Sequence, residues 1–216
     1  MSLAPVGLLA AAVVALAAYA YAQRAGRVRL ARESRIRSYA FPASVFVELA
    51  KTYPQLDKKD TQLVARALRS YFLVHARSRN VVVAMPSKVV DALWHAFILD
   101  TRAYKSFCQA AFGAYFHHIP ESSMVSVGQG GAAAGWHTWR LACLEENINP
   151  VKATRIPLLF AIDAKLALPG AIHYGPDSFK KPTGPGNSDG SSSCGGSDGG
   201  GCDGDGGCCG GCGGGD

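Results

Sequence analysis

The sequence predicts an all-α protein in three parts: an N-terminal transmembrane helix, a compact domain of about five or six short helices, and a disordered C-terminal tail. Three observations carry this expectation. No charged residue lies between Ala4 and Ala22, apolar residues recur at three- and four-residue steps through the middle, and everything from Pro182 onward holds sixteen glycines, five cysteines and no apolar aliphatic residue. The expected parts are an anchor over 1–23, a basic juxtamembrane segment over 24–40, a helical domain over 41–181 and the tail over 182–216. A total of 216 residues suits one domain with appendages.

The nineteen residues Ala4 to Ala22 make a helix of about 28 Å at about 1.5 Å per residue, close to a hydrocarbon core of about 30 Å. Val6, Leu8, Leu9, Val13, Val14 and Leu16 supply the apolarity, and Tyr19 and Tyr21 fall where interfacial aromatics sit. A cleaved signal peptide is the rival, because Ala18-Tyr19-Ala20 and Ala20-Tyr21-Ala22 both have small residues at cleavage-site spacing. Against it, no Lys or Arg precedes the stretch, and six arginines between Arg24 and Arg37 follow it. That asymmetry favours an uncleaved anchor with the domain on the cytoplasmic side.

Net charge is +6, but the tail contributes only acids, Asp189, Asp198, Asp203, Asp205 and Asp216, so the rest of the chain stands at +11. Arg24, Arg27, Arg29, Arg32, Arg35 and Arg37 surround a single acid, Glu33. A basic run beside an apolar helix points to anionic lipid. With no reader motif beside it, nucleic acid is not an expected partner.

Helices follow in order. After Pro42 comes a stripe of Val45, Phe46, Leu49 and Tyr53, and from Asp60 as N-cap a longer one of Leu63, Val64, Ala67, Leu68, Tyr71 and Phe72. Val81, Val82 and Val83 have strand character but are too short and solitary to build a sheet. The next helix starts near Pro86 and carries Val89, Val90, Leu93, Trp94, Phe97 and Ile98. Asp100 caps another, with Tyr104, Phe107, Cys108, Ala111 and Phe112, which Gly113 stops. Gly128 to Gly135 reads as a loop or a frayed helix start, before Trp136, Trp139 and Cys143, and then Leu159, Ile162 and Leu166 after Pro157. The tail cannot bury enough surface to offset its ordering entropy, so disorder is expected there.

From Met85 to Pro120 the chain reads MPSKVVDALWHAFILDTRAYKSFCQAAFGAYFHHIP, and TWRLACLEENINP and the stretch Ile156 to Asp163 follow. The combination of Trp-His, Thr-Arg-x-Tyr, Phe-Cys, Phe-Gly and His-His-x-Pro resembles the signature of bacterial glycine-rich domain-containing proteins. With the tail, the resemblance covers about three-quarters of the chain. It implies a helical domain of unassigned function, often joined to an apolar N-terminal segment, and it brings no catalytic residue. The implied location is the bacterial inner membrane, single-pass.

His95, His117 and His118 all lie within that signature, and Asp91 stands four residues before His95 on one helical face. Imidazoles at this density suit zinc, or copper, nickel or iron, with Asp91 as an outer partner of the His95 ring. In the competing reading His95 edges an apolar stripe, and His117 and His118 satisfy carbonyls at a helix end. His75, near a helix C-terminus, is expected to favour the helix dipole with its charge. Cys108 and Cys143 fall in apolar stripes and read as packing. In the tail, Cys208, Cys209 and Cys212 offer reduced thiols to zinc or copper(I), or form part of a plain tether. The function expected is a membrane-tethered interaction or scaffold module with an unidentified protein partner. The alternative is a metal-binding protein or metalloenzyme; no catalytic motif is recognisable.

Overall fold

The computed structural model describes residues 4–79, 81–118, 132–176, 178 and 179, with side chains from Ala11 onward apart from that of Ala132. The chain divides into two units, Met1–Pro182 and Thr183–Asp216, and every described residue belongs to the first. The expected tail and the first half of the Gly128 to Gly135 stretch lie outside the described residues, while its second half, 132–135, is helical. Among those described the protein is all-helical: α1 (Ala4–Ser38), α2 (Ala43–Thr52), α3 (Lys58–Arg77), α4 (Lys88–Leu99), α5 (Thr101–Ala111), α6 (Ala132–Glu145) and α7 (Leu158–Lys165).

The stretch expected to be an anchor and the basic segment after it form one helix of 35 residues, about 52 Å long at about 1.5 Å per residue. Its last turns belong to the domain, because Ile36 is fully buried in the core and Glu33 is buried beside it. Ala11 to Ala31 is exposed on every side. Among the described residues no helix is long and apolar enough to cross a membrane; the uncharged stretch begins before Ala11, where side chains lie outside the description.

α3 is the central post, packed against α1, α4, α6 and α7. That explains why its buried set is wider than one stripe: Val64, Ala67, Leu68, Tyr71 and Phe72 are joined by Ala65, Leu73 and Val74. Its N-terminus departs from expectation. Asp57 is the N-cap, its carboxylate accepting from the Asp60 amide at 2.7 Å while Asp60 accepts from the Asp57 amide at 3.2 Å, so Asp60 completes a capping box. Similarly, Ser87 rather than Pro86 borders α4, its hydroxyl accepting from the Val90 amide. Asp100 does cap α5, and Gly113, at φ +80°, ends it.

Val81 to Val83 forms no strand. The segment crosses from α3 to α4 with Val83 buried and the Ala84 amide donating to Thr138 Oγ1 on α6 at 2.8 Å, a side-chain partner in place of a ladder. Around α3 the core is aromatic: Phe72 contacts Trp94, Phe107, Phe112 and Phe116. Ion pairs fasten α1 to this body. Arg77 donates to both Glu33 and Glu145, and Arg37 donates to Glu145 as well. The hydrogen bond from Arg77, against the cost of burial, holds the Glu33 carboxyl below the usual range.

Candidate metal centre

Asp91 and His95 leave α4 on the same face, one turn apart, as their spacing requires. The segment after α5 then returns across α4 and delivers His118. The Asp91 carboxylate lies between the two rings, with Oδ1 at 2.9 Å from His118 Nε2 and Oδ2 at 3.3 Å from His95 Nδ1. The same His95 nitrogen lies 2.8 Å from the Asp91 carbonyl oxygen. One ligating atom from each of the three residues falls within a sphere of mutual distances below 4.8 Å. The His118 side chain is 16% exposed and that of His95 54%, so the group opens on one side.

Two features place His118. Its ring packs on Trp94 with centroids 4.5 Å apart and on His95 at 4.2 Å. The preceding residue but one is fixed from below: the buried Trp94 indole N–H donates to Tyr104 Oη at 3.1 Å, and that hydroxyl donates to the Phe116 carbonyl. Burial pushes the Tyr104 hydroxyl well above the ordinary phenol range, so it remains a donor. Tyr104→Phe is therefore expected to cost about 1 to 3 kcal/mol, since it orphans a buried indole N–H and a carbonyl. Denaturant unfolding in detergent should show that loss together with broadened His118 ring signals in NMR; an unchanged midpoint would mean that water replaces the hydroxyl.

The remaining candidates separate. His117 is exposed, its ring 4.8 Å from Tyr115; it lines the same cleft but stands outside the group of three. Asp91 lies against the His95 ring nitrogen, the contact an outer partner would make, and equally against His118, so its oxygens also fall among the prospective ligand atoms. His75 is stacked on Phe116 with centroids 3.7 Å apart, and burial lowers its pKa to about 4, so it carries no charge for the helix dipole at neutral pH. Cys108 and Cys143 are fully buried, and burial raises both thiols, Cys143 to about 11, which leaves them inert packing. Cys208, Cys209 and Cys212 lie outside the described residues.

The group of three lines a cleft of about 510 Å³ together with Tyr71, Met85, Trp94, Phe116, Phe160 and Tyr174. Asp163 on α7 was not singled out in the sequence, yet it secures the start of α4: it is 2% exposed and accepts from Ser87 Oγ at 2.6 Å and the Lys88 amide at 2.8 Å. Its one legible signal is an acid within the otherwise apolar run Leu158 to Ala164.

A family model described as UCP032817-like matches residues 31–197, about three-quarters of the chain. The chain belongs to the UCP032817-like family. The match takes in the Met85 to Pro120 signature, and hence Asp91, His95 and His118 together with the residues that position them. No curated protein and no solved structure gives a match. For this UCP032817-like chain, function is therefore argued from the cleft itself.

Proposed function

We propose that the protein is a membrane-tethered helical module that binds a transition metal, zinc foremost, through Asp91, His95 and His118. The observation that carries the reading is the convergence of one carboxylate and two imidazoles in the lining of a mostly apolar cleft. Two imidazoles and a carboxylate are a donor set that zinc takes at about 2.0 to 2.2 Å, with a fourth position free for water or a ligand. The three ligand atoms already lie within 4.8 Å of one another, and the exposed His95 ring is free to turn toward a shared ion. The apolar walls then leave room for an organic group beside the metal.

Tethering is supported by α1. Val13, Val14, Leu16, Tyr19 and Tyr21 are 64 to 76% exposed, pointing in all directions from a helix that nothing in the described chain covers. A helix apolar all round does not persist bare in water, and a bilayer is the cover that fits an uncharged stretch ending in arginines. A protein-docking role on the inner face of the bacterial membrane is compatible with the same architecture, and the metal is what separates the two readings.

The test is elemental analysis and zinc titration of the full chain, purified in detergent with reductant and without chelator. About one equivalent is expected, and His95→Ala or His118→Ala should weaken it about 100-fold, within the range for losing a ligand or its support. A triple variant Cys208→Ser, Cys209→Ser, Cys212→Ser should keep the same stoichiometry. Metal that disappears with the cysteines and survives the histidine changes would transfer the site to the tail.

A further inference from the structure

A second cleft, of about 520 Å³, lies between α1 and the α3 and α5 side of the domain, and the metal reading does not use it. Its charge is one-sided. Arg24, Arg29, Arg32 and Arg79 line it with Glu33 as the acid. Glu33 is already shared by Arg29 and Arg77, and Glu145 by Arg37 and Arg77, so Arg24, Arg32 and Arg79 have no carboxylate partner among the described residues. Arg32 is only half-exposed. It lies against Gly113, where an added Cβ would come within 2.3 Å of its Nη2, and the left-handed φ of +80° independently favours glycine there. Beside the cations, Val28 and Phe112 provide an apolar wall.

The cleft begins at Tyr21, where the uncharged stretch of α1 ends, and continues along the next three turns. If α1 is inserted as proposed above, on which this inference rests, the first turn of the cleft, at Arg24, lies at the depth of lipid headgroups and the rest faces them from the aqueous side. We propose that the cleft binds the headgroup of one anionic glycerophospholipid, with Arg24, Arg32 and Arg79 receiving its phosphate while the acyl chains stay in the bilayer beside the uncharged stretch of α1. Guanidinium forks match phosphate oxygens in charge and geometry. A water-soluble phosphate satisfies the cations too, but the inserted helix holds the cleft beside a surface that concentrates anionic headgroups, which is why lipid is the better occupant. Arg35 and Arg37, by contrast, are turned to the Ala110 carbonyl and Glu145, so the basic run is divided between holding the domain and meeting the lipid.

Native mass spectrometry tests this on the full chain in a non-ionic detergent, titrated with dihexanoyl phosphatidylglycerol, dihexanoyl phosphatidylcholine or inorganic phosphate. One phosphatidylglycerol per chain is expected, held more tightly than either alternative. Arg32→Gln with Arg79→Gln should weaken it about tenfold or more, at about 1 kcal/mol for each cation removed. The charge-matched pair Arg66→Gln with Arg102→Gln, on exposed positions outside the cleft, should leave it unchanged. Equal losses in the two pairs would reduce the effect to diffuse charge and overturn the site, and inorganic phosphate binding as tightly as the lipid would overturn its lipid character. Retention of the full chain in alkali-washed phosphatidylcholine vesicles reads the tether alone. Loss of retention with the phosphatidylglycerol adduct intact would count against insertion and for the cleft; retention without a saturable adduct would sink the cleft and spare the tether.

Discussion

Replacing Asp163 by alanine is expected to lower the unfolding free energy by about 3 to 5 kcal/mol, at about 1 to 3 kcal/mol for each buried donor left without an acceptor. The carboxylate is 2% exposed and receives three donors from the beginning of α4: Ser87 Oγ at 2.6 Å, the Lys88 amide at 2.8 Å and the Val89 amide at 3.4 Å. The first amides of a helix have no partners within it, and a negative charge there also meets the positive end of the helix dipole. Alanine leaves Ser87 Oγ and the Val89 amide buried without this acceptor and the Lys88 amide partly so. Asp163→Asn should fall between, because its oxygen can still accept while its amide group faces a donor. Equilibrium unfolding in urea, in detergent, measures the loss. Zinc affinity should fall with it, since Asp91 lies one turn from the released end of α4; a loss below about 1 kcal/mol would show that solvent reaches these amides.

What sequence reveals of this fold follows from how many sides a helix buries. α5 buries Tyr104, Phe107, Cys108 and Ala111 on one face, and that face is legible as a single stripe. α3 packs on several neighbours, so Ala65, Leu73 and Val74 are buried although no single stripe contains them. Helix starts were displaced where two acids competed for one cap, as Asp57 and Asp60 do; either alone suits an N-cap, and only the reciprocal geometry assigns them. At the site, Asp91 and His95 were readable together because a helix turn fixes their relation. His117 and His118 are adjacent, and which one turns inward depends on the Tyr104 to Phe116 hydrogen bond and the Trp94 ring. Those are contacts between segments that local periodicity does not encode. Asp163 was hidden for the same reason, its partners being 74 to 76 positions away along the chain.

Acid should weaken the fold through His75 before it reaches the carboxylates. Its ring lies on the Phe116 face and edge-on to Phe112, in the wall that separates the two clefts, and burial lowers its pKa from 6.5 to about 4. The unfolded chain therefore takes a proton near pH 6.5 that the folded chain refuses until about pH 4. Between those values the unfolded state holds more protons, so stability rises with pH: the contribution is complete above pH 6.5 and disappears as pH falls to about 4. At about 1.4 kcal/mol per pH unit, reduced for partial solvent access, the window is worth about 2 to 3 kcal/mol. His137, lowered by burial and by Arg140, acts in the same direction, whereas Glu33 loses its contribution only below its unfolded value of 4.5. The informative quantity is thus the difference between wild type and His75→Phe, which keeps the stack on Phe116 and has no proton to take. Unfolding free energies measured from pH 7 to pH 4 should converge on the phenylalanine variant's disadvantage at high pH, if any, and diverge in its favour toward acid. Parallel curves would mean that the His75 ring is already solvated in the folded protein. Divergence would mean that the folded protein refuses the proton at His75, whose ring lies on Phe116, two residues before His118.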